Sequence, residues 1–244
     1  MSTVYLVRHG QADTRDAYDS LSDLGKRQSR LLGEHFLGQG IRFAAAYVGA
    51  LSRQQQTAEQ ISAAYADAKV YFPALSRDPG WNEFDLTRVY REISPHLGAE
   101  DSEFLREYEA MREQIRISES SHAASIHRKW QPCDTKVVKA WITGRYPYNG
   151  ETWEQFRQRI VACQLKMREA QPEDNILVVT SATPIAIWTG LSLDIRDGRV
   201  MKLAGAMFNA SYTILRLRKE KDQLQLFTFN AAPHLSADGL LTHR

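Results

Sequence analysis

Residues that suit phosphoryl transfer follow three predicted strands of the chain. They are Arg8, His9 and Gly10 after the first strand, Arg53 after the second, and Ser181 and Ala182 after the strand at 176–180. Arginine offers a planar fork of N–H donors that matches phosphate, and a neutral histidine can attack phosphorus to form a covalent phosphoenzyme. Nearby guanidinium groups favour the neutral imidazole, and Gly10 lets the backbone approach an anion closely. These residue types predict an arginine-lined phosphate pocket with His9 as the nucleophile, and an ordinary loop is the alternative that the Arg-His pair alone leaves open.

The leaving oxygen of such a reaction needs a proton donor. Glu83 lies in the segment Trp-Asn-Glu-Phe at 81–84, just before the regular alternation of elements is interrupted. Its place in the order of the chain puts it where a carboxyl group can flank the pocket as a general acid. We therefore take Glu83 as the candidate acid.

The predicted elements explain how residues far apart in sequence can meet. Apolar runs at 3–7, 43–48, 70–72 and 176–180 predict strands, and helical patterns separate them. This alternation predicts an α/β three-layer sandwich, in which a mostly parallel central sheet carries helices on both faces. Ligands bind such sheets beyond the carboxyl ends of the strands, so the loops after these strands converge. Alternating residues at 212–217 and 224–229 predict a C-terminal antiparallel hairpin.

Three local signals mark where helices begin. Ser22 has the residue type of an N-cap, Thr152 and Gln155 have the spacing of a capping box, and Pro184 suits the first turn of a helix after the strand at 176–180. We expect helices to start at each of these places.

The segment 85–149 differs from the rest of the chain. It is basic and aromatic, and its clearest element is an amphipathic helix at about 101–117. We expect one α/β domain over residues 1–244, with 85–149 as an inserted, largely helical cap or lid. A lid that binds a second anionic group of the substrate and a solvated basic face are both consistent with this composition.

Composition narrows the functional class. The formal net charge is only +2, which argues against nucleic acid as a partner and makes any anion binding local. Cys133 and Cys163 lack the spacing of a zinc site, so we expect reduced thiols, no metal and no cofactor. The first residues do not have a signal-peptide pattern and no apolar run is long enough to span a membrane. We expect a soluble cytoplasmic protein; its oligomeric state is open.

Five ordered segments resemble the histidine phosphatase superfamily, whose fold is also called phosphoglycerate-mutase-like. The first, LVRHGQ at 6–11, is similar to the family signature. The others are LSDLGKRQ at 21–28, LSRQQQTA at 51–58, GETWEQFR at 150–157 and NASYT at 209–213. The resemblance covers most of the chain outside the insertion.

The resemblance implies roles for individual residues. It implies His9 as the phosphorylated nucleophile, Arg8 and Arg53 as phosphate ligands and Glu83 as the proton donor, with no metal. Related enzymes often contact the phosphoryl group or the substrate through the loop that here holds Gln11 and Arg15. A small phosphomonoester is the substrate class that we expect.

One position departs from the family pattern. The family usually has a histidine where this chain has Ser181, within 178–183 (Val-Val-Thr-Ser-Ala-Thr). A seryl hydroxyl can still donate one hydrogen bond to a phosphoryl oxygen, but it has no charge and a shorter reach. Loss of one preorganised donor commonly slows such a reaction by about a hundredfold to a thousandfold. Candidate replacements in the insertion are His96, His122 and His127.

Several functions are consistent with these residues. The first is a phosphatase, in which water hydrolyses the phosphohistidine; a mutase would instead pass the phosphoryl group to a second hydroxyl. A noncatalytic phosphate-binding or phosphoprotein-binding module is the alternative that Ser181 suggests. A single-strand nucleic-acid binder is the last alternative, suggested by the basic and aromatic insertion.

Overall fold

The computed structural model describes residues 1–13, 19–121, 132–167, 171, 173–218 and 223–243. The chain divides into two compact units. One comprises Met1–Asp13, Ala17–Glu83 and Ile160–His243, and the other consists mainly of Phe84–Arg159. The predicted insertion 85–149 lies within the second unit, and its role as a lid stays a prediction.

A six-stranded sheet forms the centre of the first unit. Its strands are β1 (Ser2–Arg8), β2 (Ala45–Val48), β3 (Leu75–Arg77), β4 (Asn175–Thr180), β5 (Tyr212–Arg218) and β6 (Gln223–Ala231). The order across the sheet is β3-β2-β4-β1-β5-β6. The first four strands in that order pair in parallel, whereas β5 and β6 form an antiparallel hairpin beside β1. The predicted fold class is therefore confirmed.

Helices connect the strands and form most of the second unit. They are α1 (Asp23–Gly38), α2 (Ser52–Asp67), α3 (Leu86–Glu100), α4 (Ser102–Ser121), α5 (Pro132–Ile142), α6 (Trp153–Lys166), α7 (Ala182–Ser192) and α8 (Asp197–Ala206). None of the helices in the described ranges is long and apolar enough to cross a bilayer.

Strand β1 is buried on both faces, which places it at the middle of the sheet. Tyr5 and Val7 belong to an apolar cluster with Leu32 of α1 and Ile61 of α2. The residues that alternate with them along β1 point to the opposite face of the sheet, where α7 packs. Their side chains are also fully buried. Burial on both faces explains why β1 and β4 are continuous apolar runs.

The predicted helix starts are confirmed by their hydrogen bonds. The Ser22 hydroxyl accepts the Gly25 N–H at 3.0 Å at the start of α1. Before α6, the Thr152 N–H donates to Gln155 Oε1 at 2.9 Å and the Gln155 N–H donates to the Thr152 hydroxyl at 3.3 Å. Pro184 lies in the first turn of α7.

The prediction of a strand at 70–72 is wrong. The strand that pairs with β2 is β3, five residues later. Val70 and Phe72 alternate like strand residues because both pack against the apolar cluster from an irregular segment after α2. Strand β3 lies at the edge of the sheet and is largely exposed, so its sequence has little apolar signal.

The second unit contains α3, α4 and α5, which confirms the largely helical character predicted for the insertion. The amphipathic pattern at 101–117 corresponds to α4. Aromatic rings form the core of this unit: Phe84 stacks on Trp141 at 4.6 Å between centroids, and Phe156 contacts both rings. Cys133 of this unit and Cys163 of the first are buried thiols.

Candidate active site

His9 follows β1 and is buried, with 5% of its surface exposed. Its Nδ1 lies 2.8 Å from the Gly10 carbonyl oxygen. Because a carbonyl only accepts, Nδ1 carries the proton and Nε2 carries the lone pair. The His9 backbone N–H donates to the Thr180 carbonyl at 2.9 Å, which anchors this loop to the end of β4. The imidazole is thus held in the tautomer whose lone pair is on Nε2.

Arg53 contacts that nitrogen from the first turn of α2. Its Nε donates to His9 Nε2 at 3.2 Å, and its Nη1 donates to Asp19 Oδ1 at 2.9 Å. The other Asp19 oxygen accepts the Ser52 N–H at 3.0 Å, at the N-terminus of α2. A helix N-terminus and a guanidinium group together form an anion-binding position. In this structure, a carboxylate of the protein itself occupies that position.

Arg8 and Gly10 lie on either side of His9 in the chain. The Arg8 side chain is buried and its guanidinium donates to the Met207 carbonyl. The Gly10 N–H donates to the Thr57 hydroxyl at 3.0 Å. A Cβ at Gly10 would come within 2.4 Å of the Gly25 carbonyl oxygen, so only glycine fits beside α1.

Gln11 lies against the start of α1. Its Oε1 accepts the Ser22 hydroxyl at 2.9 Å, and its backbone N–H donates to Gln28 Oε1 at 2.9 Å. The Gln28 amide nitrogen in turn donates to the Leu240 carbonyl at 2.7 Å. Gln28 therefore ties the loop after β1 to the C-terminal segment. Arg15 lies outside the described residues.

Glu83, Ser181 and Ala182 lie at the N-terminus of α7. The Glu83 carboxylate accepts the Thr183 N–H at 3.1 Å. Ser181 is the N-cap residue and its hydroxyl accepts a hydrogen bond from the Gln54 amide at 2.9 Å. Ala182 is the first residue of α7 and is half-buried.

Thr180 links the His9 loop to the segment that carries Glu83. Its carbonyl accepts the His9 N–H, and its hydroxyl donates to the Trp81 carbonyl at 2.5 Å. His9 and Arg53 are thus in direct contact, and Thr180 connects the His9 loop to Trp81, which lies two residues before Glu83.

Among the candidate replacement histidines, His96 stacks on Tyr146 at 5.6 Å within the second unit. His122 and His127 lie outside the described residues. In the described part of the chain, no three His, Cys, Asp or Glu side chains converge as metal ligands.

The residues of the site that were not predicted from the sequence include Asp19, Gln28 and Gln54. Gln28 and Gln54 are fully buried. Both lie inside the segments that resemble the family, so position within a motif was a usable signal for them. Asp19 had no such signal, because its role depends on a contact with Arg53 across 34 positions of sequence.

A sequence model of the histidine phosphatase superfamily (branch 1) matches residues 4–140 and 118–230. The chain belongs to the histidine phosphatase superfamily.

Three relatives are similar to this superfamily member. The mitochondrial serine/threonine-protein phosphatase Pgam5 of Caenorhabditis elegans is 20% identical over 177 residues, which is 72% of this chain and 60% of that protein. The chain thus matches less than two thirds of the length of this relative. A mutant phosphoserine phosphatase of Entamoeba histolytica, solved with phosphoserine, has a TM-score of 0.61 at 15% identity and covers 96% of this chain and 100% of its own.

The third relative is a mycobacterial glucosyl-3-phosphoglycerate phosphatase. Its TM-score is 0.62 at 16% identity, with 94% of this chain and 99% of that chain covered. At this identity the two solved structures establish the fold. All three relatives are phosphatases by name.

Proposed function

We propose that the chain is a phosphatase that hydrolyses a small phosphomonoester through a phosphohistidine at His9. Arg8 and Arg53 bind the phosphate, and Glu83 is the general acid. The observation that carries the proposal is the hydrogen bonding of His9. Its proton is on Nδ1, and its Nε2 lies 3.2 Å from Arg53 Nε. A nucleophile and a phosphate ligand are therefore adjacent.

The proposed reaction has two steps. The His9 Nε2 lone pair attacks phosphorus and forms a P–N bond while the ester P–O bond breaks, and Glu83 gives its proton to the leaving oxygen. Water then attacks phosphorus, gives a proton back to Glu83 and breaks the P–N bond. The products are the alcohol and inorganic phosphate, and both arginines stabilise the charge on the phosphoryl oxygens.

The remaining site residues are proposed to contact the substrate. Gly10, Gln11, Arg15, Ser181 and Ala182 border the phosphate, and the insertion 85–149 sets specificity as a lid. Relatives named for phosphoserine and for glucosyl-3-phosphoglycerate support a small phosphorylated molecule as the substrate class. A mutase would use the same first step, and it differs only in the acceptor of the second.

The test is phosphate release from a panel of phosphomonoesters by the wild type and by His9→Ala. We expect His9→Ala to lower the rate by at least about a thousandfold, because it removes the nucleophile. His243→Ala is the matched control, since His243 is exposed in the C-terminal segment. Acid-labile, base-stable phosphate on the wild type, absent from His9→Ala, would identify the intermediate. Release that continues in His9→Ala would reject the proposal.

A noncatalytic phosphate-binding protein is the second candidate. It is supported by Ser181, whose neutral hydroxyl stands where the family pattern has a histidine, and by Asp19, which already engages Arg53. For this candidate we expect His9→Ala to bind inorganic phosphate as the wild type does. We expect neither protein to release phosphate from any ester.

A further inference from the structure

Ser181 stands at the N-cap of α7 but does not cap the helix with its side chain. A serine in this position ordinarily accepts the N–H of the second or third helical residue. Here the second residue, Thr183, donates its N–H to the Glu83 carboxylate at 3.1 Å. The Ser181 hydroxyl is thereby released from the usual role of an N-cap side chain.

Gln54 engages that hydroxyl instead. Its side chain is fully buried, and its Nε2 donates to Ser181 Oγ at 2.9 Å and to the Trp81 carbonyl at 3.3 Å. Its Oε1 accepts the Leu51 N–H at 3.3 Å. The Trp81 and Leu51 backbone groups fix which end of the amide is nitrogen, because a carbonyl only accepts and an N–H only donates. Gln54 is therefore a donor to Ser181.

The direction of this hydrogen bond determines where the Ser181 proton can go. Since Oγ accepts from Gln54, the hydroxyl proton must point toward a different acceptor. In the described ranges of the chain, the one side-chain hydrogen bond of Ser181 is the bond it accepts. Ser181 is 1% exposed, and a buried hydroxyl is normally satisfied as a donor as well.

Ser181 also lies beside the nucleophile. In the parallel pair of β1 and β4, Arg8 is opposite Thr180, so the residues that follow, His9 and Ser181, leave the same edge of the sheet together. The His9 N–H donates to the Thr180 carbonyl at 2.9 Å. A phosphoryl group on His9 would supply acceptor oxygens at this edge.

We propose that Gln54 is a positioning residue that turns the Ser181 hydroxyl proton toward a phosphoryl oxygen held at His9. This rests on the proposed function. The neutral pair of Gln54 and Ser181 then supplies the donor that the family pattern assigns to a second histidine. Gln54 acts through Ser181, so its effect on turnover depends on the presence of the hydroxyl.

A double-mutant cycle tests this dependence. Gln54→Met keeps an unbranched side chain of similar length and removes the donor, and Ser181→Ala removes the hydroxyl. We expect Gln54→Met to lower kcat about tenfold and to change KM less than about threefold. In the Ser181→Ala background, Gln54→Met should cause no further loss of kcat. Gln55→Met is the matched control on the next residue, whose amide donates to the Ala50 carbonyl.

A second variant covers the case in which Gln54→Met does not fold. Gln54→Glu keeps the shape of the side chain but offers only acceptors when ionised, so it draws the Ser181 proton away from the phosphoryl group and should also lower kcat. An unchanged kcat in the folded Gln54 variants, or an equal loss with and without the Ser181 hydroxyl, would overturn the proposal. If the wild type releases no phosphate, the proposed function fails. In that case, the affinity of each protein of the cycle for inorganic phosphate tests the role of Gln54.

Discussion

Arg53 donates a hydrogen bond to a carboxylate of the protein, and the proposed function assigns the same guanidinium to the phosphate. Asp19 contacts the guanidinium at 2.9 Å and the N-terminus of α2 at 3.0 Å, and about half of its side chain is exposed. A partly exposed ion pair is weak, so a phosphate dianion can displace it. Under the proposed function, we therefore expect Asp19 to compete with phosphate for Arg53.

Asp19→Asn should strengthen the binding of inorganic phosphate. The change removes one negative charge beside the phosphate and weakens the contact that phosphate must replace, so we expect the Kd to fall by about threefold to fivefold. Titration calorimetry at low and high salt measures this, and the gain should shrink as salt screens the charge. Asp23→Asn, which removes an exposed partner of Lys26 on α1, is the control. Weaker binding by Asp19→Asn would mean that Asp19 orients Arg53 rather than competes.

The contact between the loop after β1 and helix α1 depends on two glycines. A Cβ at Gly25 would lie 2.1 Å from the Gln11 carbonyl oxygen, and one at Gly10 would lie 2.4 Å from the Gly25 carbonyl oxygen. Both obstacles are backbone atoms, so no side-chain rotation relieves them. Direct contact between loop and helix backbones therefore fixes the position of His9.

Gly25→Ala should destabilise the fold and weaken phosphate binding together. The added methyl forces the loop away from α1, and we expect a loss of about 2 kcal/mol or more in the free energy of unfolding. Gly38→Ala is the matched control in the same helix, because its Cβ meets nothing within 4 Å and the change should be neutral or slightly stabilising. Urea unfolding and phosphate titration measure the two effects. Equal stability of the two variants would contradict this account.

Helices and strands were predicted correctly where the residues within the element itself determine it. Ser22 and Pro184 mark helix starts through their own side chains, and the buried strands β1 and β4 are continuous apolar runs. The strand predicted at 70–72 was wrong because burial from an irregular segment gives the same apolar pattern as a strand. The motif at 51–58 pointed to Gln54 but not to its contact with Ser181, and nothing pointed to Asp19, because each contact depends on which residue the fold brings against it.

The first unit also contains two partly buried imidazoles that the proposed reaction does not use. His35 on α1 and His234 in the short 3-10 helix Pro233–Leu235 lie with ring centroids 5.7 Å apart, and both contact the ring of Tyr212 on β5. Burial lowers the pKa of His234 to about 4, with a smaller contribution from His35, and burial also lowers the pKa of His35. Both imidazoles are therefore neutral in the folded protein near pH 7.

The stability of the fold should consequently fall as the solution becomes acidic. An unfolded histidine takes up a proton near pH 6.5, whereas folded His234 does so only near pH 4, so the unfolded state binds more protons between these values. The contribution of neutral His234 to the free energy of unfolding is fully present above pH 6.5. It is lost progressively toward pH 4 and is on the order of 3 kcal/mol. His234→Phe removes the titration and should flatten the dependence of the unfolding free energy on pH in this window, whereas His243→Phe, in the exposed C-terminal segment, should leave it unchanged. Urea unfolding from pH 7 to pH 4 measures the slopes, and a slope equal to that of the wild type in His234→Phe would assign the acid sensitivity to other groups.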